Sequence, residues 1–161
     1  MGSGKSSSGR VLAKLLGMPF VDLDELIVQK ESRSVNDIFE KSGEPYFRNI
    51  ESDMLLSISR GQNQVVATGG GIVLNPLNVN RMKETGFVVY LKTSFPVLWN
   101  RVRMNRNRPL LKTEDPEKTM NGLFQVRSPL YETCSEKFFV TDGKTPDEVA
   151  VEIHKVCFGK S

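Results

Sequence analysis

Apolar positions along this chain follow two spacings, and the two alternate. Val11, Leu12, Leu15 and Leu16 fall on one helical stripe that Gly17 ends. Phe20-Val21-Asp22 is a short apolar run and reads as a strand. Asp24 to Lys30 turns helical, and Ser34-Val35-Asn36-Asp37 resembles a capping box with Asp in place of Glu or Gln. Gly43-Glu44-Pro45 breaks that short helix. From Pro45 a longer helix carries Phe47, Ile50, Met54, Leu55 and Ile58 at three–four spacing. Gln64-Val65-Val66-Ala67 reads as a buried strand running into Thr68-Gly69-Gly70-Gly71. Pro76 opens a helix that ends near Gly86, and Phe87 to Leu91 is the clearest strand. Ser94 caps a helix holding Val97, Leu98, Trp99 and Val102. Arg103 to Pro116 is basic and without period, so it reads as a loop. Glu117 to Cys134 is helical with a break at Pro129; Lys137 to Thr141 is a last strand; Thr145-Pro146-Asp147-Glu148 starts a final helix.

Short strands alternating with helices predict an α/β fold, a parallel sheet covered by helices on both faces. Four strands are visible, near Phe20, Val65, Val88 and Phe139. The 161 residues suffice for one domain spanning residues 1–161, without repeats or low-complexity tracts. Hydrophobic residues at 39% and charged residues at 25% suit a soluble globular chain, and no apolar run is long enough to span a membrane. The net charge of +3 fits anionic substrates, while the spread of basic residues argues against a nucleic-acid partner. Cys134 and Cys157 stand far apart and read as reduced thiols in a cytoplasmic setting; His154, the only histidine, reads as a surface residue.

The chemistry starts at the amino end, with Met1-Gly2-Ser3-Gly4-Lys5-Ser6-Ser7. Gly-Lys-Ser after glycines is the second half of a phosphate-binding loop. Gly2 and Gly4 allow tight curling, and the amides of the following helix point at the phosphates. Lys5 adds a point charge, and the Ser6 hydroxyl can hold Mg²⁺. The full motif begins with one more glycine, which would precede Met1. A flexible Gly/Ser leader is the competing reading, and the amphipathic helix directly after the loop argues against it.

Asp22 and Asp24 sit where a strand ends, the position at which open α/β sheets bind ligands. If the strand persists, both face one side; one carboxylate could hold a metal-bound water and the other could accept a hydroxyl proton. Arg48 and Glu51 lie three apart on a helix, either as a solvated pair or as a carboxylate-binding Arg steered by Glu51. Gly69, Gly70 and Gly71 make sense where a flat ligand lies against the backbone. Arg101, Arg103, Arg106 and Arg108 fit a lid closing over phosphates, or a solvated basic loop.

Taken in order, these motifs resemble the shikimate kinase family. The resemblance rests on Gly-Ser-Gly-Lys-Ser, Asp22-x-Asp24, Phe47-Arg48-x-x-Glu51, the glycines at 69–71, Arg108-Pro109-Leu110-Leu111 and Arg127-x-Pro129-Leu130-Tyr131. It covers essentially the whole chain. It implies a nucleoside-monophosphate-kinase-like, three-layer α/β/α fold around a five-stranded parallel sheet. It also implies transfer of the ATP γ-phosphate to the 3-hydroxyl of shikimate, with Mg²⁺, by a cytoplasmic monomer. Carried over by position, Gly2 to Ser7 (Gly2, Ser3, Gly4, Lys5, Ser6, Ser7) and Arg101 would bind nucleotide, with Arg101 stacking on adenine. Ser6 and Asp22 would serve the metal. Lys5, Asp24 and Arg108 would serve the transfer. Asp24, Arg48, Gly69, Gly70, Gly71 and Arg127 would hold shikimate, with Glu51 orienting Arg48 and with Phe39 and Phe47 lining the pocket. The substrate region would span about 23–51 and the lid about 103–116.

One departure stands out. The family's strand before the phosphate loop lies mid-sheet, and it would precede Met1. Without it, two neighbouring strands are expected to stand unpaired, with poor stability and low ATP affinity. The expectation is a native product longer by roughly ten residues, an average strand plus a turn. Two other readings are a gluconate-type kinase, disfavoured by Arg48, Arg127 and the triple glycine, and a non-catalytic kinase-like domain.

Overall fold

The computed structural model describes residues 2–103 and 109–159; Arg106 and Arg108 lie outside the described residues. Helix α1 (Lys5–Leu16) leads to strand β1 (Phe20–Asp22), then α2 (Leu23–Glu31) and the long α3 (Val35–Ile58). Strand β2 (Val65–Ala67), a 3-10 turn at Ile72–Leu74 and α4 (Pro76–Thr85) follow. Strand β3 (Val89–Lys92), α5 (Phe95–Val102), a second 3-10 turn at Pro109–Leu111, α6 (Pro116–Cys134), β4 (Lys137–Val140) and α7 (Pro146–Cys157) complete the order.

Local chemistry explains most boundaries. Gly17 closes α1 in the left-handed region. Asp22 ends β1 and caps α2, its carboxylate accepting from the amides of Asp24 and Glu25. The strand therefore does not persist to Asp24, which lies in the first turn of α2. Gly43, at φ 83° and ψ 166°, kinks α3, and Pro45 restarts it. The Ser34 hydroxyl caps α3, but the Asp37 carboxylate takes that hydroxyl rather than the cap amide. Thr145 and Glu148 form a complete capping box on α7. Three sequence expectations need correction. Strand β3 begins at Val89, leaving Phe87 half-exposed. Leu15 faces outward at 45% exposure, and Ser8 and Ala13 join Leu12 on the buried side of α1. Helix α6 runs through Pro129 without a break. Proline removes one donor, yet the tertiary setting holds the helix on both sides of it.

The sheet is in two pieces. Strand β1 pairs in parallel with β2, Phe20 opposite Val65, and β3 pairs in parallel with β4, Val89 opposite Lys137. Between β2 and β3 lies a slot of about 610 Å³, lined by Leu12, Leu55, Val65, Ala67, Val89, Leu91 and Ile153. It continues as a hollow of about 100 Å³ reaching Ser3, Gly69, Gly70 and Thr93. Among the described residues the two strand pairs share no ladder hydrogen bonds. One core packs Leu23, Ile27, Ile38, Phe47, Ile50, Leu55, Ile72, Val73 and Cys134; another joins Leu12 and Leu91 to Val149, Ala150 and Ile153.

Candidate active site

The sheet slot lies between the strand pairs, whereas the reactive side chains gather beyond the carboxyl ends of β1 and β2. Gly4 caps α1 at φ 84° and ψ 18°, a left-handed conformation that suits glycine. Among the described residues no side chain caps α1 at Gly4, and the amides of a helix N-terminus suit an anion. Lys5 Nζ donates to Ser3 Oγ at 3.4 Å, curling over its own loop. The loop is further held by Arg101, whose Nη1 donates to the Gly2 carbonyl at 3.1 Å. Ser7 is exposed on the outer side of α1.

Ser6 Oγ donates to Asp22 Oδ2 at 2.5 Å. The other oxygen, Oδ1, is occupied by the α2 cap, which fixes the carboxylate's direction. A hydroxyl and a carboxylate so placed suit a hard cation that keeps most of its water and phosphate ligands. Among the described residues there is no group of three or more His, Cys, Asp or Glu that would cage a metal by itself.

The acidic and basic groups of the second half converge on the glycine loop. Arg48 Nη1 donates to Glu51 Oε2 at 2.8 Å; Arg48 Nε and Nη2 grip Glu44 Oε1 at 3.1 and 2.9 Å. Glu51 is completely buried, so the pair is no solvated surface bridge. Burial pushes the Glu51 carboxyl above its ordinary range; Arg48 pulls it down, and Asp24 adds to the rise. Burial alone would depress Arg48, but Glu51 and Glu44 outweigh it and leave the guanidinium more firmly protonated. A Cβ at Gly69 would stand 2.6 Å from Glu51 Oε1 and 3.2 Å from Asp24 Oδ1. One at Gly71 would stand 2.4 Å from Arg48 Cζ. Only backbone fits beneath these groups. The Phe39 and Phe47 rings meet at a tilt, 4.9 Å between centroids, and the Arg48 guanidinium lies 5.3 Å from the centre of the Phe47 ring.

Arg127 comes from α6 and is buried at 6% exposure, with no hydrogen-bond partner at Nε among the described residues. Glu51 Oε1 also lacks one. A buried cation with a donor to spare, close enough to act on the Glu51 titration, is arranged for an anionic ligand. By sequence Arg127 stands alone on its helix; the fold brings it near enough to Glu51 to pull that carboxyl's titration down. Sequence reasoning missed two participants. Glu44 is the second anchor of Arg48, legible in retrospect as a Glu–Arg spacing of four. Tyr131 gives its hydroxyl to the Gly70 carbonyl, and it lies one turn beyond Arg127.

The chain that carries these groups matches known proteins over nearly its entire length. The family model described as shikimate kinase matches residues 1–158. The chain belongs to the shikimate kinase family. It is 44% identical over 156 residues to the shikimate kinase of Thermodesulfovibrio yellowstonii, covering 96% of this chain and 89% of that one. It is 40% identical over 153 residues to that of Caldanaerobacter subterraneus, covering 95% and 89%. Among solved structures, shikimate kinase from Acinetobacter baumannii in complex with shikimate superposes with a TM-score of 0.93 at 37% identity, covering 96% of this chain and 87% of that one. The Aquifex aeolicus enzyme gives 0.81 at 36% identity, covering 95% and 88%. Shikimate kinases are phosphotransferases that use ATP. No helix among the described residues is long and apolar enough to cross a membrane.

Proposed function

We propose that this chain, as a single-domain cytoplasmic monomer, transfers the γ-phosphoryl group of ATP to the 3-hydroxyl of shikimate, giving shikimate 3-phosphate and ADP. The observation that carries this is the meeting of Arg48, Arg127, Glu51 and Asp24 over the side-chain-free floor of Gly69 to Gly71. Shikimate is a small ring with one carboxylate and three hydroxyls. Two guanidinium groups offer forked donors to a planar carboxylate. Arg48 is pre-aimed by Glu44 and Glu51, which lowers the ordering cost of binding. The ring then lies on the glycine backbone, with Phe39 and Phe47 at its edge.

Phosphoryl transfer asks for alignment and charge neutralisation more than covalent help. The loop Gly2–Ser7 and the first amides of α1 take the phosphates, and Lys5 supplies the positive charge. Ser6 and Asp22 would hold Mg²⁺, which spreads the charge of the phosphates when bound. Asp24, on the first turn of α2, takes the proton of the attacking hydroxyl. By family resemblance Arg101 would stack on the adenine; its guanidinium is held at the loop by the Gly2 carbonyl. Arg108 belongs to the proposed lid, about 103–116, by family resemblance. The lid's described end is tied to the substrate side through the Lys112–Glu40 ion pair.

The test is ADP release across a panel of acceptors: shikimate, gluconate and water, with the product identified by phosphorus NMR. Shikimate should be preferred by orders of magnitude and yield a 3-phosphate. Preference for gluconate, or ADP release indifferent to acceptor, would overturn the assignment.

A further inference from the structure

We propose that Tyr131 is a positioning residue that joins the two walls of the acid pocket through its hydroxyl. The inference rests on the shikimate reading above and adds a residue to it. The hydroxyl donates to the Gly70 carbonyl, across a sequence separation of 61 residues. Arg127 lies one helical turn earlier on α6, near enough for its positive charge to pull the phenol's titration down. A phenol oxygen can donate once and accept as well, so one atom can serve both groups.

The ring is fixed independently of the hydroxyl. It packs against Tyr90 at 5.2 Å between centroids and joins the core from Leu23 to Cys134. Burial pushes the phenol above its ordinary titration range, and Arg127 opposes that only in part. The group therefore stays a neutral donor throughout physiological pH. Gly70 has no side chain with which to steer its own loop, and Arg127 has no partner at Nε. The position of both is set by one oxygen held on a packed ring. Loss of that oxygen should loosen the grip on the substrate's carboxylate and leave the phosphate loop untouched.

The experiment compares Tyr131→Phe, Arg127→Lys and the double variant with the 161-residue wild type. Tyr131→Phe retains the ring. It should raise the shikimate KM five- to tenfold, with kcat and the ATP KM within twofold. If Tyr131 acts through Arg127, the double variant should be little worse for shikimate than Arg127→Lys alone. A shikimate KM within twofold in Tyr131→Phe, or fully additive losses in the double variant, overturns the proposal. Equal falls in shikimate and ATP performance overturn it too, since they mark a general structural role. A wild type that phosphorylates another acceptor instead of shikimate overturns the functional reading itself, whereas the first three outcomes leave that reading standing.

Discussion

Gly71→Ala isolates the space under Arg48 from every other property of the loop. Gly71 sits at φ −90° and ψ −4°, a conformation open to any L-residue. The backbone therefore gives alanine no penalty, and the unfolded chain would even favour it by about 0.4–1 kcal/mol. What opposes the change is contact. The new Cβ would lie 2.3 Å from Arg48 Nη2 and 2.4 Å from Cζ and Nη1. Ordinary carbon contacts need roughly 3.5–4.0 Å, so the guanidinium must retreat by more than about 1 Å. It ends a flexible side chain, but Glu44 and Glu51 hold it from both sides. Retreat breaks its alignment with the substrate. A charged hydrogen bond is worth about 1.5–3 kcal/mol. At 1.4 kcal/mol per decade, the shikimate KM should rise about 10- to 150-fold. The ATP KM should not move. Leaving Glu51 buried without any partner would cost about 3–5 kcal/mol. Uptake of a proton by Glu51 and the surviving Glu44 tether reduce that, so a loss of about 1–3 kcal/mol in urea unfolding is expected. Steady-state kinetics with coupled ADP detection gives both KM values. A shikimate KM within twofold of wild type would refute the claim that Arg48 needs a bare backbone beneath it.

Asp24→Asn should lower kcat by roughly 10²–10⁴-fold with nucleotide affinity nearly intact; loss of ATP binding instead would move Asp24 out of the acceptor site. Lys5→Met should abolish turnover, and retained phosphorylation of shikimate would contradict its place on the phosphates. Glu51 has a folded pKa raised above its ordinary 4.5, chiefly by burial, so its stabilising contribution is complete below that value and is lost as pH rises through the folded one. The unfolding midpoint of Glu51→Gln should therefore gain on wild type between pH 4.5 and 8, and a gap that is constant or moves the other way contradicts the burial argument. A soluble peptide of five or six apolar residues ending in glycine should raise the Tm of the 161-residue chain by filling the slot between β2 and β3. Its proline-substituted form should not, because proline cannot donate to the flanking strand edges.

The legible part of the fold was the part carried by local signals. Glycine and proline punctuation placed α1, α4 and α7 within a residue or so. Those signals act within a few residues, and so survive without tertiary knowledge. Leu15 was misplaced because its stripe was read from the helix alone, and the sheet takes the opposite side. Pro129 was read as a break because a missing donor is a local cost, whereas the packing of α6 that outweighs it is not visible in sequence. In the site, Arg48 with Glu51 was legible from spacing. Its burial was not, because Glu51 is covered by Gly69 from a distant loop. Arg127 carried no local signal at all, and only the ordered set of motifs pointed to it. Asp22 and Asp24 were expected to face one way along a strand; a helix cap separates them, giving one to Ser6 and the other to the glycine loop.

The two halves of the site rest on different supports. Arg48 and Glu51 on α3, Asp24 on α2 and Arg127 on α6 stand around an apolar core from Leu23 to Cys134, of which Leu55 and the flanking Ile58, Met82 and Val88 also line the slot. The phosphate loop stands at the mouth of the slot. Lys5, Ser8 and Leu12 line the slot itself, so the inner face of α1 borders a hollow where a packed sheet would give it contacts. Gly2 is propped instead from the side, where a Cβ would meet Val102 at 2.8 Å. An anion cradle works through amides held in fixed directions, so freedom beneath α1 falls on the nucleotide before it reaches the acid. In the 161-residue chain the ATP KM is therefore the sensitive reporter of the slot. The shikimate KM should respond less, since Arg48 is held by Glu44 and Glu51 on its own helix rather than by the slot.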